Sequence, residues 1–363
     1  MATNEIAQTG LSSLPPVIYY SEQLFSFYLD KAKTKEVSPL VSEFSCFLKL
    51  NQKYIFRCYM YACKTLVCSY NGEQYIAEQV LSIECSFKSA GVQNHLIAVF
   101  DDGSIDKTNQ VIIALKNQLS DGKLSYQTGA NKGVVSNFIN AILSAETPEL
   151  DWLFLADQDD VWHEDKVSEY FNVFQNIPVE SATIVFSDAA LIDEEGTVFS
   201  TSFFHYQGLS TDVLRDDSIL FKNCVQGATI ALNKPMITLL RDSLNYIDIT
   251  QMVMHDWWLA ILAKYYGQYV FINKPLIKYR QHNQNQIGAQ SNNRLMAFIK
   301  SPNQYYASYV RILNQARVFI SMDAVIKPER NLHQAKQFSI QYCGFLKRFL
   351  VFFCKSTLFK KKL

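Results

Sequence analysis

The chain has 363 residues, 48% of them hydrophobic and 19% charged, a globular composition with apolar material for one large domain or two smaller ones. Lysine plus arginine equals aspartate plus glutamate at 34 each, so no net charge draws the chain toward nucleic acid. Eight scattered cysteines (46, 58, 63, 68, 85, 224, 343 and 354) form no C-x-x-C pair or zinc spacing, which points to free thiols and a reducing, cytoplasmic compartment. No early apolar segment with a cleavage site argues for export, and the apolar runs fall short of the roughly 18–20 residues a spanning helix needs.

Residues 1–63 carry "LPP" and aromatic-rich pieces but no chemical signal, and are expected to be an N-terminal extension. From Lys64 the pattern becomes regular. "KTLVCSY" (64–70) is a short apolar strand ended by an "NG" turn, and Ile76, Val80, Ile83 and Phe87 then recur at helical spacing. "HLIAVF" (95–100) predicts a second strand stopped by "DDGS", with Ser104 placed to cap a helix carrying Ile112, Leu115 and Leu119. "KLSYQ" (123–127) is a third strand, and "GANKG" leads into a helix striped by Val134, Phe138 and Ala141. "DWLFLA" (151–156) is a fourth, followed by a helix on Val167, Phe171 and Phe174, and "ATIVFS" (182–187) is a fifth.

Strands that alternate with helices and are apolar throughout predict a mainly parallel α/β sheet covered on both faces. Ligands of such sheets bind beyond the carboxyl ends of the strands, where "SYNGE", "DDGSID", "GANKG" and "DQDD" all fall. After residue 190 the rhythm changes. "IDEEGTV" (192–198) predicts a hairpin turn, "NCVQGATIALNK" (223–234) a strand containing a glycine, and "HDWWLAILAKY" (255–265) a helix. "QYVFINKPLIKYRQHNQNQIG" (268–288) predicts a strand, a proline-marked turn and a polar loop, and residues 303–321 a closing helix.

No G-x-G-x-x-G follows the first strand and no G-x-x-x-x-G-K-[ST] occurs, which disfavours dinucleotide oxidoreductases and P-loop phosphotransferases. A G-x-S-x-G hydrolase elbow is also missing. A phosphate-bearing ligand would then need a divalent cation, which one or two carboxylates hold together with substrate oxygens. Asp157 and Asp159 offer two carboxylates with one residue between. Glu164 and Asp165, by contrast, fall where the next helix begins and suit its dipole.

The series "CSYNGEQYIAEQVLSI", "FDDGSIDKT", "GANKGVVSNF", "FLADQDDVW", "NCVQGATIALN", "HDWWLAILA" and "YRQHNQNQIG" resembles the inverting glycosyltransferases of family 2, over about residues 64–290. The combination "ADQDDVW", "HDWW" and "YRQH" is most similar to the rhamnosyltransferase-like branch. The resemblance implies a GT-A fold with helical N- and C-terminal extensions. It divides the chain into an extension (1–63), a nucleotide-sugar-binding half (64–190), an acceptor-binding half (191–300) and a C-terminal helical region (301–363).

By the same resemblance, Cys68, Ser69 and Tyr70 lie against the nucleotide base, with Cys68 where the family has Thr or Ser. Asp102 hydrogen-bonds the base, and Lys132 lies on the pyrophosphate side, although the Arg that often follows one turn later is missing here. Asp159 binds Mg²⁺ or Mn²⁺ directly, and Asp157 contacts the metal or the ribose. Asp256, opening the helix at "HDWW", is the general base, with His255 in place of an acidic neighbour. Arg280 and His282 stabilise the departing diphosphate, His282 also as a metal ligand. Gly227 lines the acceptor channel, and Trp257 either stacks on an acceptor sugar or packs in the core.

The expected activity is metal-dependent, inverting sugar transfer from a dTDP-, UDP- or GDP-linked donor to a hydroxyl of a glycan or lipid-linked oligosaccharide, in cell-surface polysaccharide synthesis. A nucleotidyltransferase and a catalytically silent glycan- or nucleotide-binding relative are the alternatives. The tail "FLKRFLVFFCKSTLFKKKL" (345–363) mixes aromatics and cations, a pattern compatible with peripheral contact to an anionic bilayer or with a packing helix and basic end.

Overall fold

The computed structural model describes residues 61–120, 122–282, 302–330 and 332, with backbone alone for 302–306. The expectations for residues 1–60, for the polar loop beyond His282 and for the basic tail 345–363 lie outside the described residues. From Tyr61 onward the described chain belongs to one compact unit.

Its first half is a run of β–α units. They are β1 (Cys63–Ser69), α1 (Ile76–Ser89), β2 (His95–Asp101), α2 (Thr108–Gln118), β3 (Leu124–Thr128), α3 (Val134–Ala145) and β4 (Trp152–Asp157). Ile76, Val80, Ile83 and Phe87 are fully buried, so the stripe read from the sequence is the face that α1 lays on the sheet. β1 is apolar on both sides because both faces are covered: Leu66 and Val67, which point oppositely, are each fully buried.

The second half comprises β5 (Val161–Trp162), α4 (Lys166–Phe174), β6 (Thr183–Ile192), β7 (Val198–Ser200) and α5 (Phe203–Gln207). It continues with β8 (Ala231–Asn233), α6 (Lys234–Ser243), α7 (His255–Tyr266), β9 (Gln268–Arg280) and α8 (Pro302–Ile326). Among the described residues one nine-stranded sheet runs β3-β2-β1-β4-β8-β6-β9-β5, with β7 on β6. The block from β3 to β4 is parallel. Beyond it β8 is antiparallel to both neighbours, β9 runs parallel to β6, and β5 is antiparallel to β9.

Chain order reverses between β1, which leads outward to β2 and β3, and β4 on its other side. In open α/β sheets this switch point opens a crevice at the carboxyl edge. Cys68 at the end of β1 pairs with Asp157 at the end of β4, so the "SYN" and "DQDD" turns leave the sheet side by side. Two short pairings bring the second half to the same edge. Leu155 N–H donates to the Ile230 carbonyl at 2.9 Å, which sets the 227–229 turn beside β4. β5 pairs with Ile277 and Lys278 near the end of β9, which delivers Arg280 and His282 to the carboxylate turn.

Several local expectations are corrected. The 223–234 segment is not one strand: residues 227–229 coil into a 3-10 turn, and only 231–233 pair in the sheet. The reason is that the Ala228 and Thr229 carbonyls are taken by the Lys166 ammonium and the Tyr170 hydroxyl instead of a ladder partner. Pro275 marks no turn. β9 runs through it with a bulge, since Ile272 faces Ser187 while Pro275 faces Asp188. A residue without an N–H is tolerated where the ladder is interrupted.

Ser104 caps no helix: its hydroxyl donates to Asp101 at 2.5 Å and accepts from Asn71 N–H at 2.7 Å. The cap of α2 comes from Asp106, which accepts from Thr108 N–H at 3.0 Å. α4 begins at Lys166, so Glu164 and Asp165 precede its first turn. β1 begins at Cys63, and the Tyr61 ring packs edge-on against Phe171 and Phe174, which moves the boundary of the N-terminal extension below Tyr61. The strands of residues 64–190 and 191–300 share one sheet. No helix among the described residues is long and apolar enough to cross a membrane.

Candidate active site

The carboxyl edge of β1 and β2 is held by a network of short polar side chains. Asp101 accepts from Ser69 Oγ at 2.9 Å and from the Ser104 hydroxyl and N–H. Asn71, at φ 52°, is in the left-handed region where Asn is tolerated, and its carboxamide accepts from Ile105 N–H at 3.0 Å. These bonds fix the "SYN" turn against the "DDGS" turn. Asp102 is buried, and both its oxygens are engaged: Lys132 N–H at 2.8 Å and Gly133 N–H at 2.7 Å. The carboxylate expected on the base therefore also clamps the "NKG" loop, while the Lys132 side chain is exposed.

Cys68 is buried, and burial, aided by the charges of Asp157 and Asp102, pushes its thiol well above the usual range, which makes it a small apolar wall. Tyr70 is 39% exposed at the mouth. Its backbone is held by a residue the sequence reading passed over. Gln158 accepts from Tyr70 N–H at 2.8 Å and donates to the Tyr70 carbonyl at 3.0 Å, so one side-chain amide completes a two-point pair with a peptide. The middle residue of "DQD" thus ties the carboxylate turn to the β1 turn. Gly72 is needed beside it, because a Cβ there would lie 2.2 Å from Gln158 Oε1.

On the carboxylate turn, Asp157 is partly buried and pushed up to about 8, by burial first and then by the charges of Asp159 and Asp256. Asp159 Oδ2 is hydrogen-bonded to His282 Nε2 at 2.7 Å, and the imidazole stacks on Tyr75 with centroids 5.4 Å apart. Asp160, expected to orient the loop or the acceptor side, is 1% exposed and accepts from Arg280 N–H at 3.1 Å, stitching the turn to the end of β9. Its second oxygen is buried without a partner.

Arg280, expected as a diphosphate contact, is committed to the protein. Nε donates to the Asp159 carbonyl at 3.0 Å, one terminal nitrogen to the Glu194 carbonyl at 2.9 Å, and the other to Glu78 at 2.7 Å. The guanidinium also lies 4.7 Å over the Tyr75 ring. Such a fork holds three segments at once, and hydrogen bonds to a charged group are worth about 1.5–3 kcal/mol each. Arg280 is a lock on the carboxylate turn. Tyr75 and Glu78, at the start of α1, carried no sequence signal for this work.

Across the edge, Asp256 opens α7. Its Oδ2 accepts from Gly227 N–H at 3.1 Å and its Oδ1 from the Asn223 amide at 3.2 Å. Burial pushes it up to about 7 against the backbone N–H groups of Trp257 and Gly227. A carboxyl poised there can hold a proton or release it near neutral pH. The preceding His255 is 2% exposed, stacks on Phe138 at 3.9 Å, and is held neutral by burial, which takes it down to about 3. It therefore contributes no charge to Asp256.

Gly227 and Trp257, expected on the acceptor side, are both enclosed by protein atoms. A Cβ on Gly227 would lie 2.7 Å from His255 Nε2, so the absent side chain makes room for that ring and not for an incoming sugar. Trp257 is 7% exposed with its indole N–H on the Ile219 carbonyl at 2.5 Å, and offers no open ring face; the core reading holds.

No three His, Cys, Asp or Glu side chains among the described residues form a metal cage. Asp157 and Asp159 nevertheless suit a hard divalent cation, because the Asp159 charge raises the cost of charge on Asp157 and a cation would relieve it. Two carboxylates with substrate oxygens completing the shell is the usual arrangement for Mg²⁺.

Residues 65–199 match the family model described as Glycosyl transferase family 2. Among curated proteins the chain is similar to RfbG, a dTDP-rhamnosyl transferase of Shigella flexneri, at 26% identity over 233 residues, 61% of this chain and 73% of that one. Among solved structures it is similar to S. aureus TarS 1-349 in complex with UDP, at 16% identity and a TM-score of 0.44, covering 70% of this chain and 64% of that chain, just under two thirds of its length. It is also similar to the mannosyltransferase PcManGT from Pyrobaculum calidifontis in complex with GDP-Man and Mn²⁺, at 13% identity and a TM-score of 0.45, covering 88% and 91%. What these similarities establish is a glycosyl transferase family 2 match over residues 65–199, the β1–β7 part of the sheet.

Proposed function

We propose that this chain transfers a sugar, with inversion, from a nucleotide-diphosphate sugar to a hydroxyl of a glycan or lipid-linked oligosaccharide in cell-surface polysaccharide synthesis. The observation that carries this reading is the convergence of Asp157, Asp159 and Asp256 on one sheet edge, close enough that the Asp256 charge raises Asp157. The nucleotide is assigned to the crevice walled by Cys68, Ser69, Tyr70 and Asp102, with Lys132 on its pyrophosphate side. Asp159 and Asp157 would hold Mg²⁺ or Mn²⁺, with His282 beside Asp159. When bound, that ion supplies charge stabilisation for the leaving diphosphate.

In the reaction, one Asp256 oxygen takes the proton of the acceptor hydroxyl as that oxygen attacks the anomeric carbon from the face opposite the diphosphate. Gly227 N–H and the Asn223 amide hold the carboxylate in place and favour its ionised form. Single displacement by one base inverts the anomeric centre. The 26% identity to a dTDP-rhamnosyl transferase supports dTDP-rhamnose as the first donor to try.

Calorimetry with dTDP, UDP and GDP, each with and without Mn²⁺, tests the reading. One diphosphate is expected to bind, and at least tenfold more tightly with the metal. Absence of binding by all three, in folded protein, would overturn the assignment.

A further inference from the structure

The first residue of α4 is a buried lysine that the proposed chemistry does not use. Lys166 has 0% of its surface exposed. Its ammonium lies 4.0 Å over the Trp162 ring and donates to the Ala228 carbonyl at 3.2 Å. A cation at a helix N-terminus opposes the macrodipole, and an ammonium taken out of water is costly. Packing alone is better served there by methionine or leucine. With no exposure, the ammonium cannot touch a ligand directly, so any role it has is exerted through its neighbours.

Those neighbours join the two sides of the site. Lys166 follows the carboxylate turn closely in sequence, and Asp160 on that turn provides the nearest opposing charge. One helical turn on, the Tyr170 hydroxyl donates to the Thr229 carbonyl. Two successive carbonyls of the 227–229 turn are therefore held by α4. Held this way, the turn directs its free N–H, that of Gly227, at Asp256 Oδ2.

We propose that Lys166, assisted by Tyr170, is a positioning residue that fixes the 227–229 turn so that Gly227 N–H meets the Asp256 carboxylate. The base is thereby tied mechanically to the Asp157–Asp160 turn across the crevice. The kinetic consequence rests on Asp256 being the base; the structural one does not.

The test compares the full chain with its Lys166→Met, Lys166→Arg and Tyr170→Phe variants in two measurements. In amide hydrogen exchange, Lys166→Met is expected to speed exchange across residues 226–230 at least tenfold, and Tyr170→Phe less. In kinetics, release of diphosphate from dTDP-rhamnose, UDP-glucose or GDP-mannose, with water as acceptor, is expected to fall ~10–100-fold in kcat for Lys166→Met, about 1.4–2.7 kcal/mol of barrier. Diphosphate affinity should stay within about threefold, and Lys166→Arg should restore part of the rate.

Unchanged exchange at 226–230 in folded Lys166→Met overturns the proposal. So does a parallel loss of diphosphate binding, which would make Lys166 part of the donor pocket's wall. If Lys166→Met does not fold, unchanged exchange in Tyr170→Phe overturns it instead. A wild-type chain that neither binds diphosphates nor releases them refutes the proposed function, while the exchange comparison still decides this one.

Discussion

Gly227→Ala adds one methyl group at the tightest point beside the base. Its Cβ would meet His255 Nε2 at 2.7 Å, His255 Cε1 at 3.2 Å and Asp256 Oδ2 at 3.5 Å. Carbon contacts relax near 3.5–4.0 Å, so about 0.8–1.3 Å of space has to be found. The obstructing atoms belong to a ring stacked on Phe138 at 3.9 Å and 13°, not to the end of a flexible chain, so the ring cannot swing aside cheaply. Overpacking of a closed core costs typically 1–3 kcal/mol. At roughly 2–4 °C per kcal/mol for a unit of this size, a cost of ~2 kcal/mol lowers the unfolding midpoint by ~4–8 °C.

The same displacement stretches the Gly227–Asp256 hydrogen bond, so activity should fall together with stability. His255→Ala removes the obstructing ring and should absorb the added methyl. The double variant is therefore expected to be more stable than the sum of the two single losses by at least ~1 kcal/mol. Urea unfolding of the four proteins measures this directly. Strict additivity, or a Gly227→Ala protein with an unchanged midpoint, would refute the packing argument.

Asp256→Asn is expected to abolish transfer while leaving diphosphate affinity within about threefold; turnover like that of the wild type would remove Asp256 as the base. In the wild type, kcat/KM should rise with pH through about 7, since the base must be ionised and burial raises it there. The same shift acts on stability with the opposite sense. The folded state keeps a proton that an unfolded aspartate has lost by about pH 4, so stability should fall as pH rises from about 4 to about 7. Asp256→Asn should show a shallower fall in urea titrations across that window, and an identical slope would contradict the assignment. Gln158→Ala breaks both bonds to the Tyr70 peptide, so diphosphate affinity should weaken by roughly tenfold, given ~0.5–1.5 kcal/mol per hydrogen bond. Unchanged affinity in calorimetry would mean that the β1 turn holds its shape without the clamp.

Helix and strand periodicity was enough to place every β–α unit from β1 to β4, because each stripe, such as Ile76, Val80, Ile83 and Phe87, is read from neighbours within one element. Asp157 and Asp159 stood out for a related reason, as acids closing an apolar strand, whereas Asp256, which opens an apolar helix, was marked by the family resemblance of "HDWW" alone. Where the reading failed, the deciding partner was distant in sequence. Arg280 reads as a free cation on a polar loop until the carbonyls of Asp159 and Glu194 are found around it. Gly227 reads as room for a ligand until His255 is found in that room. Nothing in the sequence marks Lys166 until Ala228 is found at its ammonium.

The order of elements, the carboxyl edge as the working edge and the acids upon it were therefore determined by the sequence itself, since local patterning and the abrupt change from apolar to acidic residues fix them. Which of those acids face one another, which cations are consumed as locks, and why a glycine stands beside Asp256 and a buried lysine behind the 227–229 turn were decided only by the tertiary structure. Those roles depend on contacts such as β5 with β9 and α4 with the 227–229 turn, which close across tens to more than a hundred residues and leave no periodic trace in the chain.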